Sequence, residues 1–302
     1  MNKTFLNGFY QAKTTNLIPF DSYFNLNKLQ GKEFLEYLKN NNIGLGSTYA
    51  NIDEVLNQDL LNVREELNSL TKLSIFGNVF FMDHDLTNFK IIYKSIKYDL
   101  AIDDLDLVGK FRGEELIQFF KYDNNLLIDQ EDLKVLILIK DNLTGNIKVD
   151  LELIESIYYN YYYNLVKEDY PSLEAFLGYK RFVNNLNLLF KFRLKDESLL
   201  NFSNLLLAEK HVDKDTWINL YTKTEEEIIS YFELKFYGKL VPGIKKYFSD
   251  KTLTELIKNI NEVNDDLITK ISFDKNNLGS LVSYIHLKLK ENNSLRWSYY
   301  EK

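Results

Sequence analysis

The chain contains no cysteine, which removes disulfides, thiolate nucleophiles and cysteine metal sites together. That absence fits a reducing cytoplasm. Proline occurs three times and glycine twelve times in 302 residues. With so few breakers long helices can run uninterrupted, whereas an all-β or doubly wound chain needs many more turns. An excess of basic charge is missing too. The 37 Lys and Arg stand against 44 Asp and Glu, a net −7, and nonspecific nucleic-acid binding needs a cationic surface to displace counterions. Three scattered histidines offer no visible triad. The most apolar segment, Val135–Ile139 (VLILI), is far below the roughly 20 residues that span a bilayer. The segment MNKTFLNGFYQAKTTN has no apolar stretch ending in small residues, so no cleaved secretion signal is expected.

What is present is apolar and aromatic. Hydrophobic residues make up 45% and charged residues 27%, the balance of a folded soluble chain. Apolar side chains recur at helical steps: Leu151, Ile154, Tyr158, Tyr161, Tyr162 and Leu165 form one face. Phe182, Leu186, Leu189, Phe190 and Arg193 form a second, and Leu281, Ile285, Lys288 and Leu289 a weaker third. Pro171 suits the first turn of a helix. Residues 205–237 also read as helix, with Glu225, Glu226 and Glu227 near the start of a second segment, where acids oppose the dipole favourably. Pro242-Gly243 marks a loop before the next helix, and Asn40–Ser47 is the clearest glycine-bearing loop. No low-complexity linker divides the chain. The fold class is all-α.

One pattern recurs about every hundred residues: DLTNFKIIYK (Asp85–Lys94), NNLNLLFKFR (Asn184–Arg193) and ENNSLRWSYY (Glu291–Tyr300). Each has an acid or amide, two residues, Asn or Ser, then a large apolar residue. Asn88, Asn187 and Ser294 share one column, followed by Phe89, Leu188 and Leu295. Lys90 and Arg296 place a cation next, where the middle copy has Leu189; Lys94 and Arg193 place another farther on. A long-period repeat points to a pseudo-symmetric body with three parts, about 1–100, 101–200 and 201–302.

The same segments resemble the family of the C subunit of bacterial and archaeal V/A-type ATPases, whose counterpart in the eukaryotic vacuolar enzyme is the d subunit. The family signature is an aromatic, a spacer, an acid, two residues, Asn, Ile or Leu, then Lys or Arg. The chain offers Phe80 with Asp85, Asn88, Phe89 and Lys90, then Tyr179 with Asn187, Leu188, Arg193 and Lys195. Last come Tyr284, Lys288, Glu291, Leu295 and Arg296, with Ser294 standing in for Asn. Asn184, Leu189 and Ser294 depart from the pattern.

The resemblance implies a single domain of that family over 1–302, a funnel-shaped, three-lobed helical body with pseudo-threefold repeats. It implies a non-catalytic central-stalk rotor component with no cofactor. Such a component links the central shaft to the membrane proteolipid ring and transmits rotation for proton or sodium transport. It lies on the cytoplasmic face and is membrane-associated only through the ring. Candidate partner contacts are Asp85, Asn88, Lys90, Lys94, Asn187, Arg193, Lys195, Glu291, Ser294 and Arg296. A freestanding helical adaptor is the alternative.

Plainer readings stand beside these. The Asn/Ser column fits exposed polar positions or side chains bonding local backbone. The cations fit helix carboxy-terminal dipoles or a grip on acidic groups of shaft or ring. Helical spacing assigns Tyr158–Tyr163 to core packing rather than to a stacking platform. Asp83-His84-Asp85 has no ligand-spaced partner for a metal. Asp103, Asp104 and Asp106 lack the glycine and distal glutamate of a calcium loop and read as a solvated helix start. Gly44–Ser47 lacks the lysine of a phosphate loop.

Overall fold

The computed structural model describes residues 2–70, 72–235 and 238–300. Among them there are helices, turns and loops, and no strand. The helices are α1 (Lys3–Thr14), α2 (Tyr23–Leu26), α3 (Gly31–Asn40), α4 (Ile52–Ser69), α5 (Ser74–Phe80), α6 (Met82–Tyr98), α7 (Gly113–Tyr122) and α8 (Gln130–Asn142). They continue with α9 (Ile147–Val166), α10 (Pro171–Leu194), α11 (Leu199–Leu205), α12 (Lys214–Thr222), α13 (Glu225–Glu233), α14 (Val241–Asp250), α15 (Thr254–Ser272) and α16 (Gly279–Tyr300). No helix among the described residues is long and apolar enough to cross a membrane. The chain divides into two compact units. One takes the residues up to Gln130 and those from Ser272 on; the other takes Glu131–Ile271.

In the first unit α1 lies along α16, burying Leu6 and Tyr10. Asn7 joins the two, its Oδ1 accepting the Ser280 N–H at 3.2 Å. A core of Leu26, Phe34, Leu38, Ile52, Val55, Leu56 and Leu295 gathers α2, α3 and α4 around the end of α16. The loop at 41–51 is where the glycines lead one to expect it. Gly44 has φ +72, and a Cβ there would lie 2.4 Å from the Val55 carbonyl oxygen. Asn51 then caps α4, accepting the Glu54 N–H at 2.8 Å.

The second unit is built on α9 and α10. Pro171 opens α10, as its missing N–H allows. Phe182, Leu186, Leu189 and Phe190 are fully buried, joining Trp217, Phe232 and Tyr247 in one core. On α9 the inward residues are Ile154, Tyr158, Tyr159, Tyr162 and Val166, while Leu165 is exposed. The tyrosine run is therefore largely core.

Three local expectations are corrected. Within the helical reading of 205–237, residues 206–213 are irregular instead: Asp213 caps α12, and Thr224 with Glu227 forms a reciprocal capping box on α13. The three glutamates do fall in the first turn of α13; residues 236 and 237 lie outside those described. Pro242 and Gly243 are inside α14 rather than in a loop before it, because proline fits the first turn and glycine lets α15 approach. Asp103, Asp104 and Asp106 belong to the irregular stretch between α6 and α7, where Asp104 has φ +55.

Candidate functional site

Each copy of the repeated pattern lies on a long helix: α6, α10 and α16. On α6 three side chains within little more than one turn, His84, Asp85 and Asn88, stitch down the following loop. The Asn88 carboxamide clasps the backbone of Asp106 from both sides, donating to its carbonyl at 2.8 Å and accepting its N–H at 2.7 Å. Asp85 is fully buried, and its Oδ1 accepts the Phe111 N–H at 3.0 Å. A Cβ at 109 would lie 2.5 Å from that oxygen, so a side chain there would have to displace the carboxylate. His84 Nδ1 meets Asp106 Oδ2 at 2.6 Å. Burial alone would raise the Asp106 carboxyl; the hydrogen bond and charge of His84, with the Val108 N–H, outweigh it and hold that carboxyl below its usual range. Lys90 is half-buried and Lys94 exposed.

On α10 the same clasp recurs two residues before the aligned column. Asn185, fully buried, donates to the Leu207 carbonyl at 2.8 Å and accepts the Leu207 N–H at 2.9 Å. Asn184 donates to Ser156 Oγ at 3.2 Å. Asn187 is half-buried and lines a cavity of about 220 Å³ with Asn184, Tyr159 and Ile257. The spacing that aligns Asn187 with Asn88 thus misses the residue repeating its hydrogen bonds. The Asn184-Asn185 doublet is the available signal, since two adjacent amides on an apolar helix both need partners. Arg193 caps the end of α12, donating to the carbonyls of Tyr221 at 2.6 Å and Lys223 at 2.8 Å. Lys195 is exposed just past α10.

On α16 the acid column is again buried. Glu291 Oε1 accepts the Ile18 N–H at 2.7 Å, as Asp85 accepts that of Phe111. Its Oε2 takes Lys288 Nζ at 2.7 Å, and Asp59 Oδ2 lies 2.8 Å from the same ammonium. Burial would lower the Lys288 ammonium, but the charges of Asp59 and Glu291 and their hydrogen bonds prevail and push it up. Asn292 donates to the Leu56 carbonyl at 2.8 Å. Ser294 is half-buried. Arg296 Nε pairs with Asp53 at 3.0 Å, and Tyr300 donates to the other Asp53 oxygen at 2.6 Å.

Of the ten candidates, Asp85, Asn88 and Glu291 are interior, and Arg193 and Arg296 are engaged within the chain. Lys94 and Lys195 stand in solvent. The buried polar groups act as stitches. If so, Asn185→Ala leaves both Leu207 backbone groups buried without a partner and should cost about 2–3 kcal/mol. Asn187→Ala should stay within about 0.5 kcal/mol, as half-buried polar changes usually do. Urea melts of the two variants check the contrast.

The larger cavity of the second unit holds about 700 Å³ beside Tyr179, Val263 and Leu267. Two of its lining cations are paired, Lys210 with Glu174 and Lys239 with Asp266, and Lys270 lies beside them. Glu209 accepts the N–H groups of His211 and Val212 and the Trp217 indole; burial still raises its carboxyl. Among the described residues no group of three or more His, Asp or Glu side chains is placed to hold a metal ion.

A family model described as ATP synthase (C/AC39) subunit matches residues 25–298. That span contains the first two copies of the pattern whole and the third up to Ser298. No curated protein matches the chain at a significant level.

Proposed function

The chain belongs to the ATP synthase (C/AC39) subunit family, and we propose that it is the non-catalytic rotor component linking the central shaft of a V/A-type ATPase to its proteolipid ring. The observation that carries this reading is the pattern itself. Three long helices bear it, and their buried amides and carboxylates are spent on holding neighbouring backbone. A part that passes torque must resist deformation, and close-packed helices tied by buried hydrogen bonds deform little. Three related helical parts would offer similar contacts around a rotary axis. The chain would face the cytoplasm and reach the membrane only through the ring.

Contact with acidic groups on shaft or ring falls to the exposed cations. Lys94→Glu combined with Lys195→Glu should lower retention of the chain in the purified ATPase about five- to tenfold, a rim-charge effect. Its melting temperature should not change. Arg193→Glu or Arg296→Glu should instead lower the melting temperature, since both side chains bond within the chain. The governing experiment is copurification. A tagged chain should bring down shaft and ring proteins in fixed proportion, and an intact, active ATPase isolated without it overturns the proposal.

A further inference from the structure

Gly178 stands inside the 24-residue helix α10, where glycine is the least favourable residue short of proline. No packing requires it, since nothing lies within 4 Å of where its Cβ would stand. The open space belongs to the cavity of about 700 Å³ in the second unit. Ala175, exposed, lies about one turn earlier on the same wall. Helices α10 and α15 meet where the Tyr179 hydroxyl donates to the Ile260 carbonyl at 2.7 Å. Val263 and Leu267 continue the apolar lining along α15. The end of α9, the loop before α12 and the turn at Lys239 supply the rest. Five segments thus wall a basin, not an open groove for a helix. Its volume falls in the range of about 300–1,000 Å³ typical of small-molecule sites.

The charged side chains around the basin are not equally engaged. Glu174 is held by Lys210 and the Tyr163 hydroxyl, Asp266 by Lys239, and Glu209 by three N–H groups. Lys270 has no partner among the described residues. Burial chiefly, helped by the Lys210 charge, keeps the His211 imidazole below its usual range, so it adds no cation at neutral pH. Every acid in the lining has its donors; the open group is a cation.

We propose that this basin binds a small amphipathic anion, its apolar body against Gly178, Tyr179, Val263 and Leu267 and its single carboxylate or phosphate on Lys270. A wall without a Cβ lets that body lie against helix backbone. A cationic head would meet three lysines and find no acid free to receive it.

Calorimetry on the full-length chain tests this with dodecanoate, an apolar chain ending in one carboxylate. Dodecanoate should bind saturably, one molecule per chain, with dodecyltrimethylammonium about tenfold weaker and acetate not binding. Lys270→Met should weaken dodecanoate about fivefold, the reach of an exposed charge pair, and Lys270→Arg should restore it. Gly178→Leu should weaken it about tenfold or more by filling the basin, while the melting temperature rises, so the loss is not unfolding. No saturable binding, equal binding of the ammonium, or unchanged affinity in Lys270→Met or Gly178→Leu overturns the proposal. Vesicles of phosphatidylglycerol separate the two sources of such an anion. Cosedimentation that Gly178→Leu abolishes identifies a membrane lipid; dodecanoate binding without it identifies a free carboxylate. The chain is assayed alone, so each outcome leaves the rotor reading standing.

Discussion

Lys288→Met should destabilise the first unit by about 3–5 kcal/mol, because it strands two buried carboxylates. The side chains of Lys288, Asp59 and Glu291 are only 10%, 8% and 4% exposed. Each carboxylate is held by the ammonium and by backbone: Glu291 by the Ile18 N–H, Asp59 by a long 3.4 Å contact from the Gly44 N–H. Removing the lysine leaves negative charge without a counterion in a site water barely reaches. Met matches the aliphatic stem, so lost packing contributes little. The triple variant Lys288→Met, Asp59→Asn, Glu291→Gln should regain most of the loss, because it buries no charge while amide oxygens still accept the same N–H groups. In a denaturant melt the transition of the first unit should move and that of the second should not.

The same group predicts an alkaline limb. The folded lysine holds its proton more tightly than an unfolded one. Its contribution is therefore complete below the ordinary lysine pKa of about 10.4 and lost as pH climbs through the raised folded value. Tyr284, pushed up to about 12 chiefly by burial, adds the same sign. Above a pH of about 10 the unfolded tyrosine ionises first, so stability falls as pH rises. Lys288→Met should flatten that limb.

Periodicity makes most of this fold legible, because helix faces are local. The buried Phe182, Leu186, Leu189 and Phe190 fall on one face of their helix and need no knowledge of what covers them. Pro171 and the glutamates of α13 are readable for the same reason. What stays hidden depends on partners far along the chain. Lys288 reads as the weak member of an apolar stripe, since nothing near it announces Asp59 on α4. Column spacing favours Asn187 over Asn185 because it says nothing about which amide faces Leu207. Arg193 is a cation at a helix end in sequence; only the fold supplies the carbonyls of Tyr221 and Lys223. The repeated pattern locates the right helices and leaves their hydrogen-bond partners open.

Pro242-Gly243 shows the same limit, and Gly243→Ala gives the second large effect. Within an exposed helix, alanine for glycine stabilises by about 1 kcal/mol. Here a Cβ would lie 2.4 Å from the Leu256 Cα, 2.7 Å from its nitrogen and 2.8 Å from Asn259 Oδ1. Carbon atoms in contact normally sit about 3.5–4.0 Å apart, so α14 and α15 must separate by roughly 1 Å. That motion also draws the Gly243 N–H from Asn259 Oδ1, now 2.7 Å away and buried. Overpacking of about 1–3 kcal/mol and a weakened buried hydrogen bond of about 1–3 kcal/mol together exceed the propensity gain. The net loss should be about 3 kcal/mol, read as a lower urea midpoint for the second unit with the first unmoved. Truncating the Leu256 side chain should not rescue it, because the nearest obstructing atoms are main chain. A Gly243→Ala chain as stable as the wild type would mean that the two helices do not approach this closely.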